Sequence, residues 1–271
     1  MNAAAGFTGV VVISTRMKAW GPQDEKINIP PMNSNSKKGH AHADCMDCHS
    51  RYRSVFCELT PEELEEVNSY KRSTVYKKGQ VIFKQGFYPH GLYCINTGKT
   101  KLYQMAENGR EQIVRMAKHG DVIGYRALLS GEKYTSSAET IEESSVCFIP
   151  RDLFFKFIEK NTSISFQLMK LLSSDLKNAE HKITDLAQKP VRERMAEAIL
   201  YMKEIYGLEP DNATLSVVLT REEMSNIAGT ATETAIRILS DFKQEGLVEF
   251  VGKRIKVADM KKLLQAANVN D

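Results

Sequence analysis

The 271-residue chain has no long apolar run: near its start the longest, Val10 to Ile13, is four residues, far short of the roughly 20 that span a bilayer. No secretory signal is readable either, because Arg16 and Lys18 follow that stretch instead of preceding it. Neither sign of charge is in excess. With 37 Lys and Arg against 34 Asp and Glu, net charge names no polyanionic partner, and any basic surface has to be local. No nucleophile–base constellation stands out, so the chain is expected not to be an enzyme. These absences point to a protein that stays in the cytoplasm and off the membrane. Thiols are kept reduced there, so the five cysteines (Cys45, Cys48, Cys57, Cys94 and Cys147) do not read as a disulfide framework. Metal or redox chemistry is their expected use.

What is present fits a globular chain of two domains: 42% hydrophobic and 26% charged residues over a length generous for one domain. Residues 1–40 mix Ala, Gly, Asn, Ser, Lys and the pair Pro30-Pro31 without period, and are expected to be a flexible leader. Met32 would serve as an alternative initiator. From Thr60 a capping residue, Pro61 and Glu62-Glu63 open a short helix to about Asn68. Short apolar stretches such as Val81-Ile82-Phe83, Leu92-Tyr93-Cys94-Ile95 and Val146-Cys147-Phe148-Ile149 follow. Glycines from Gly79 to Gly131 punctuate them at strand–turn intervals, the pattern of a roll of antiparallel strands.

After Pro150 the sequence becomes helical. Leu172, Leu176, Ala179, Ile183 and Leu186 recur at spacings of 4, 3, 4 and 3. That is the seam of a coiled-coil dimer, or the inner face of a helix packed on its own domain. Lys189-Pro190 breaks the run and is expected to act as a hinge. The expected organisation is therefore a leader (1–40), a sensory β-roll with an N-terminal cysteine loop (41–150), a dimerisation helix region (151–189) and a C-terminal domain (190–271), an α+β fold overall.

In the last segment Thr220-Arg221-Glu222-Glu223 forms a capping box, Gly229 supplies a tight turn, and a second helix is expected from Ala231 to Phe242. Two short helices joined this way make a helix-turn-helix, whose second helix lies in the major groove. Ile238, Leu239 and Phe242 occupy one side of that helix; Thr232, Glu233, Ile236 and Arg237 are left to meet base edges. A hairpin follows, with Lys253, Arg254 and Lys256 placed for phosphate contacts. Residues 191–271 nonetheless carry 11 Lys and Arg against 13 Asp and Glu, a net of −2, so a helical module that contacts protein instead of DNA stays open.

The order of roll, long helix, hinge, helix-turn-helix and basic wing resembles the Crp/Fnr family of bacterial transcription regulators over about residues 44–265. Lys78-Gly79-Gln80-Val81-Ile82-Phe83, Gly120-Asp121-Val122-Ile123-Gly124 and Leu219 to Met224 with Thr232 to Arg237 carry the likeness. The resemblance implies a homodimer that binds a palindromic site in double-stranded DNA and acts on RNA polymerase. Glu233 and Arg237 match the family's base-reading pair; Ile236 departs from the small or hydroxyl residue common there. Cyclic AMP is not expected. The family's Gly-Glu and Arg-Ser/Thr-Ala motifs are replaced by Gly124-Tyr125 and by Tyr134-Thr135-Ser136-Ser137-Ala138, which removes the carboxylate for the ribose and the cation for the phosphate.

Cys45-Met46-Asp47-Cys48 and Cys57 give C-x2-C-x8-C, and Cys147 lies on the last strand of the roll. Four thiolates suit a [4Fe–4S] cluster. The Fnr branch holds an oxygen-labile one with three N-terminal cysteines and one distant cysteine, so the resemblance implies Cys45, Cys48, Cys57 and Cys147 as ligands. Arg51 and Arg53 between them would favour thiolates, unless they are solvated or pair with Glu58. Zinc, with His40, His42 and His49 nearby, is the chemical rival. A regulator without metal that responds to another small ligand also stays open. Cys94 reads as a small core residue.

Overall fold

The computed structural model describes residues 44–268, which belong to one compact unit; the leader expected over 1–40 lies outside them. A 3-10 helix, His49–Arg53, follows the Cys45–Cys48 loop and precedes α1 (Pro61–Tyr70). Thr60 and Glu63 exchange the two bonds of a capping box at the start of α1, with Pro61 in its first turn, as their spacing predicts. The helix runs two residues past Asn68.

The roll consists of β1 (Arg72–Tyr76), β2 (Val81–Phe83), β3 (Gly91–Thr97), β4 (Lys99–Met105), β5 (Glu111–Lys118) and β6 (Val122–Ile123). A short α2 (Tyr125–Ser130) precedes β7 (Ser137–Thr140) and β8 (Ser144–Pro150). They form two four-stranded sheets, ordered β1-β8-β3-β6 and β2-β7-β4-β5. Because side chains alternate across a strand, the first sheet divides its residues. Ile95 and Val146 enter the interior of the roll with Ile82, Leu102 and Ile123. Leu92 and Ile149 face the opposite way, into a core built with α1 and the helices that follow the roll.

The segment expected as one helix region is two helices, α3 (Arg151–Lys160) and α4 (Thr162–Gln188). Asn161 separates them and caps α4 by accepting from the amides of Ser163 and Ile164. α4 ends ahead of Lys189-Pro190, and α5 (Val191–Tyr206) begins a second unit of structure with α6 (Arg221–Ala228) and α7 (Thr232–Gln244). The wing β9 (Val248–Val251) and β10 (Arg254–Val257) and a final α8 (Met260–Ala266) complete it.

This C-terminal module packs on the roll. Tyr103, Ile113, Met116 and Ile141 share a core with Met195, Ile199, Met202 and Ile227. Polar contacts reinforce the seat: Lys99 donates to the Ser216 carbonyl at 2.6 Å, Lys118 to the Ile205 carbonyl at 2.6 Å, and the Tyr206 hydroxyl to the Ala117 carbonyl at 3.2 Å. α6 starts with a second capping box, Thr220 and Glu223. Thr220→Ala is expected to lower the unfolding free energy by about 1 kcal/mol, read as a shift of the urea midpoint with unchanged slope.

Candidate functional site

Two regions carry the residues singled out above. The first is a cavity of about 50 Å³ between the N-terminal loop, the 3-10 helix, α1 and the outer face of the β8–β3 pair; Cys45, Cys48, Cys94 and Cys147 all line it. Cys57 does not. The 3-10 helix and the turns after it spend the long gap in burying Val55 and Phe56, and Cys57 follows them on the chain outside the cavity lining. Cys94, expected as a core residue, packs against the core between the roll and α1 and sits directly opposite Cys147 in the β3–β8 register. Paired residues project to the same side of a sheet. The signal that would have found it is alternation: Cys94 lies two residues from Leu92, and Cys147 two from Ile149, all on the face outside the roll.

The cavity surface is almost wholly apolar, and the polar contacts are made within its wall. Lys71 donates to the Cys45 sulfur at 3.1 Å, Cys48 to Asn96 Oδ1 at 3.4 Å, and Ser73 Oγ lies 3.4 Å from the Cys147 sulfur. Burial pushes the Cys45 thiol above its ordinary value against the pull of Lys71, with Cys147 and Cys48 adding to the rise. Burial raises Cys94 further, and Cys147, Cys45 and Cys48 again add to it. Arg51 also lines the cavity; its Nε is buried without a hydrogen-bond partner among the described residues. Neither Arg51 nor Arg53 pairs with Glu58, which bonds Ser163 and Gln167 instead; Arg53 meets His119 Nε2 at 3.1 Å. Among the described residues no three His, Cys, Asp or Glu side chains stand close enough to hold a single metal ion. His40 and His42 lie outside those residues.

The second region is the C-terminal module with the helix that leads to it. On α4, Leu172, Leu176, Ala179, Ile183 and Leu186 are all exposed, Ile183 by 68%. Within the single chain this face is largely uncovered, with Leu186 lying in part against Gly229. The nearby Asp175 turns away: its carboxylate accepts from the buried Tyr125 hydroxyl and faces Arg115 at 3.6 Å. On α7, Ala235, Ile238, Leu239 and Phe242 are buried while Glu233, Ile236 and Arg237 are exposed. Thr232 is half-buried, with its hydroxyl 3.2 Å from Ser225 Oγ. The turn before α7 needs its glycine: Gly229 has φ +66°, and a Cβ there would come within 2.6 Å of Leu186 Cδ2. Arg194 fixes the turn by donating to the carbonyls of Ala228 and Gly229. On the wing, Arg254 holds Glu209 at 2.7 Å and Lys256 holds Glu249 at 3.1 Å. Lys253 is exposed and makes no ion pair among the described residues.

Comparison with known proteins agrees with this division. Residues 73–161 match the cyclic nucleotide-binding domain family, and 193–266 match the Crp-like helix-turn-helix domain. The fumarate and nitrate reduction regulatory protein of Escherichia coli is 31% identical over 235 residues, which cover 85% of this chain and 93% of that one. The chain belongs to the Crp/Fnr family of transcription regulators. Another relative, the anaerobic regulatory protein of Pasteurella multocida, is 30% identical over 231 residues, 84% of each chain. Among solved structures, FixK2 from Bradyrhizobium japonicum superposes with a TM-score of 0.66 at 24% identity, covering 74% of this chain and 99% of that one. A Crp/Fnr transcriptional regulator from Thermus thermophilus gives 0.61 at 22%, covering 74% and 100%.

This Crp/Fnr chain is thus a regulator built of a cyclic-nucleotide-binding type roll, a long helix and a DNA-binding helix-turn-helix, and not an enzyme. None of its described helices is long and apolar enough to cross a membrane. Tyr134, in the stretch Tyr134-Thr135-Ser136-Ser137-Ala138, is buried and stacks on Phe83, with ring centroids 4.1 Å apart. Tyr125, which follows Gly124, is buried and bonded to Asp175.

Proposed function

We propose that the chain is a cytoplasmic, homodimeric regulator that binds a palindromic DNA site, acts on RNA polymerase, and reports oxygen or redox state through a [4Fe–4S] cluster held at the cysteine cavity. The observation that carries the sensory half is the cavity itself. Sulfurs from the N-terminal loop (Cys45, Cys48) and from the last strand of the roll (Cys147) line one space that also receives Lys71 and Arg51. An all-thiolate iron–sulfur centre is anionic and takes hydrogen bonds at its sulfurs, so the donor set and the unpartnered Arg51 Nε fit it. When bound, such a group supplies a redox centre open to attack by oxygen or nitric oxide.

The chain's own packing would carry the signal. Cys45 and Cys94 pack against the core that contains Ile164 and Leu168 at the root of α4. Along α4 come the exposed seam, then Lys182, which donates to the Ile227 carbonyl of α6 at 2.6 Å, and the Lys189-Pro190 break. A change in how the loop ligates would repack that core and alter how the seam sets the two recognition helices, whose separation must match half-sites about one helical turn apart. The signal would then be read as loss of DNA binding.

Two tests apply. In a mobility-shift experiment on a palindrome selected from genomic fragments, Arg237→Ala is expected to lower affinity and relax specificity by about 1–3 kcal/mol. Failure of any palindrome to be enriched would favour the protein-contacting module. Anaerobically purified protein is expected to be coloured, to contain iron and acid-labile sulfide, and to lose DNA binding in air. Colourless, iron-free protein that binds its site equally with and without air would replace the cluster by another small ligand.

A further inference from the structure

We propose that the cleft between the 3-10 helix, the β5–β6 turn and α4 is a binding site for a small oxyanion of the phosphate or carboxylate class. It is separate from the cysteine cavity, and no cysteine lines it.

The cleft has a volume of about 270 Å³, room for about nine waters at roughly 30 Å³ each and hence for a compact oxyanion that keeps part of its hydration. Three cations from three elements line it: Arg53 at the end of the 3-10 helix, Arg115 of β5 and Lys170 of α4. Arg53 is brought there by a close approach of backbones. Gly120 has φ +90°, and a Cβ on it would come within 2.7 Å of Arg53 Cβ, so the turn accepts the 3-10 helix only because that position is glycine.

The cations are incompletely used by the protein. Arg53 meets His119 Nε2 at 3.1 Å and Lys170 lies 4.7 Å from the centre of the Phe166 ring; neither pairs with a carboxylate among the described residues. Arg115 is mostly enclosed, yet it faces Asp175 at 3.6 Å and reaches the Val122 carbonyl only at 3.5 Å, a loose hold for a group with five N–H donors. Asp121 also lines the cleft, but one of its oxygens accepts from the Lys118 amide at 2.9 Å. Three cations against Asp121 and Asp175 leave a positive surplus that suits a group of one or two negative charges. The field is felt next door: burial lowers the pKa of His119, and Arg53 and Lys118 lower it further against the pull of Asp121. Arginine presents a planar fork to the oxygens of a carboxylate or phosphate and lysine a point charge, while Ser54 and Gln167 add neutral polar groups to the wall. A bound anion would tie the N-terminal loop, the roll and α4 together just ahead of Leu172, where the seam begins.

The test melts the full chain in rising inorganic phosphate or malonate, with chloride at matched ionic strength as reference. A ligand that binds only the folded state raises the melting temperature with its concentration. A saturable rise is expected with at least one of the two probes and not with chloride, and which probe acts distinguishes phosphate from carboxylate. Arg53→Gln and Lys170→Gln alter exposed side chains; each is expected to weaken the active probe about tenfold or more, whereas Lys78→Gln, on an exposed turn elsewhere, is expected to leave it unchanged. In wild type the active probe is also expected to slow acetylation of Lys170, mapped by mass spectrometry, without slowing that of Lys78. No saturable rise with either probe, an equal rise with chloride, an unaltered response in the double variant Arg53→Gln/Lys170→Gln, or unprotected Lys170 would each overturn the proposal.

Discussion

Ile183→Asp is expected to convert the protein from dimer to monomer at micromolar concentration, seen directly by analytical ultracentrifugation. The seam residues on α4 are exposed in a single chain, and covering one Leu or Ile side chain contributes about 1.5–3 kcal/mol. A carboxylate at position 183 forfeits that term and is desolvated beside its own symmetry mate, where like charges oppose ionisation. The seam positions themselves carry no acid, and the neighbouring Asp175 is engaged by Tyr125 and Arg115. Cofactor-free wild type is accordingly expected to remain dimeric, so that the cofactor alters the dimer's geometry more than its existence. A clean monomer of cofactor-free wild type under the same conditions would contradict this. Since each protomer reads one half-site, the monomeric variant is expected to bind the palindrome about 10²-fold more weakly or worse.

The features that sequence made legible are those written in short, local patterns. Both capping boxes form between residues three apart, so Thr60-Glu63 and Thr220-Glu223 could be read without any tertiary information. The glycine-punctuated roll, the turn at Gly229 and the buried side of α7 were legible for the same reason. Legibility ended where a contact depends on register between distant strands. Cys94 and Cys147 are 53 positions apart and meet only because β3 and β8 pair in the way they do, a meeting that no local pattern announces. On the wing, too, partners depend on strand pairing: Arg254 and Lys256, read as phosphate contacts, also meet Glu209 and Glu249, because β10 lies beside β9. The net charge of the module gave a hint of this that could not be assigned to residues.

The seat of the helix-turn-helix on the roll was also invisible to sequence, and it is the basis of the last expected result. Lys101 on β4 is buried, 7% exposed, and its ammonium lies 3.3 Å from Glu139, 3.4 Å from Glu111 and 3.9 Å from Glu223. Two of these carboxylates belong to the roll; the third is the capping-box residue of α6. Burial opposes the charge on Lys101, but Glu139, Glu111 and Glu223 outweigh it and hold its pKa above the ordinary 10.5. A group raised in this way contributes stability that is full below its unfolded pKa and is lost as pH rises through the folded one. Wild type should therefore weaken above about pH 10.5, and Lys101→Met should lack that component of the alkaline loss. At neutral pH the variant leaves three carboxylates facing each other in a partly dry site, which is expected to cost about 3–5 kcal/mol of unfolding free energy. Adding Glu139→Gln should recover part of the deficit at neutral pH. Urea titrations across this pH range measure all three effects. A neutral-pH loss below about 1 kcal/mol, the size typical of exposed ion pairs, would mean that water screens the whole cluster and that Lys101 does not hold α6 to the roll.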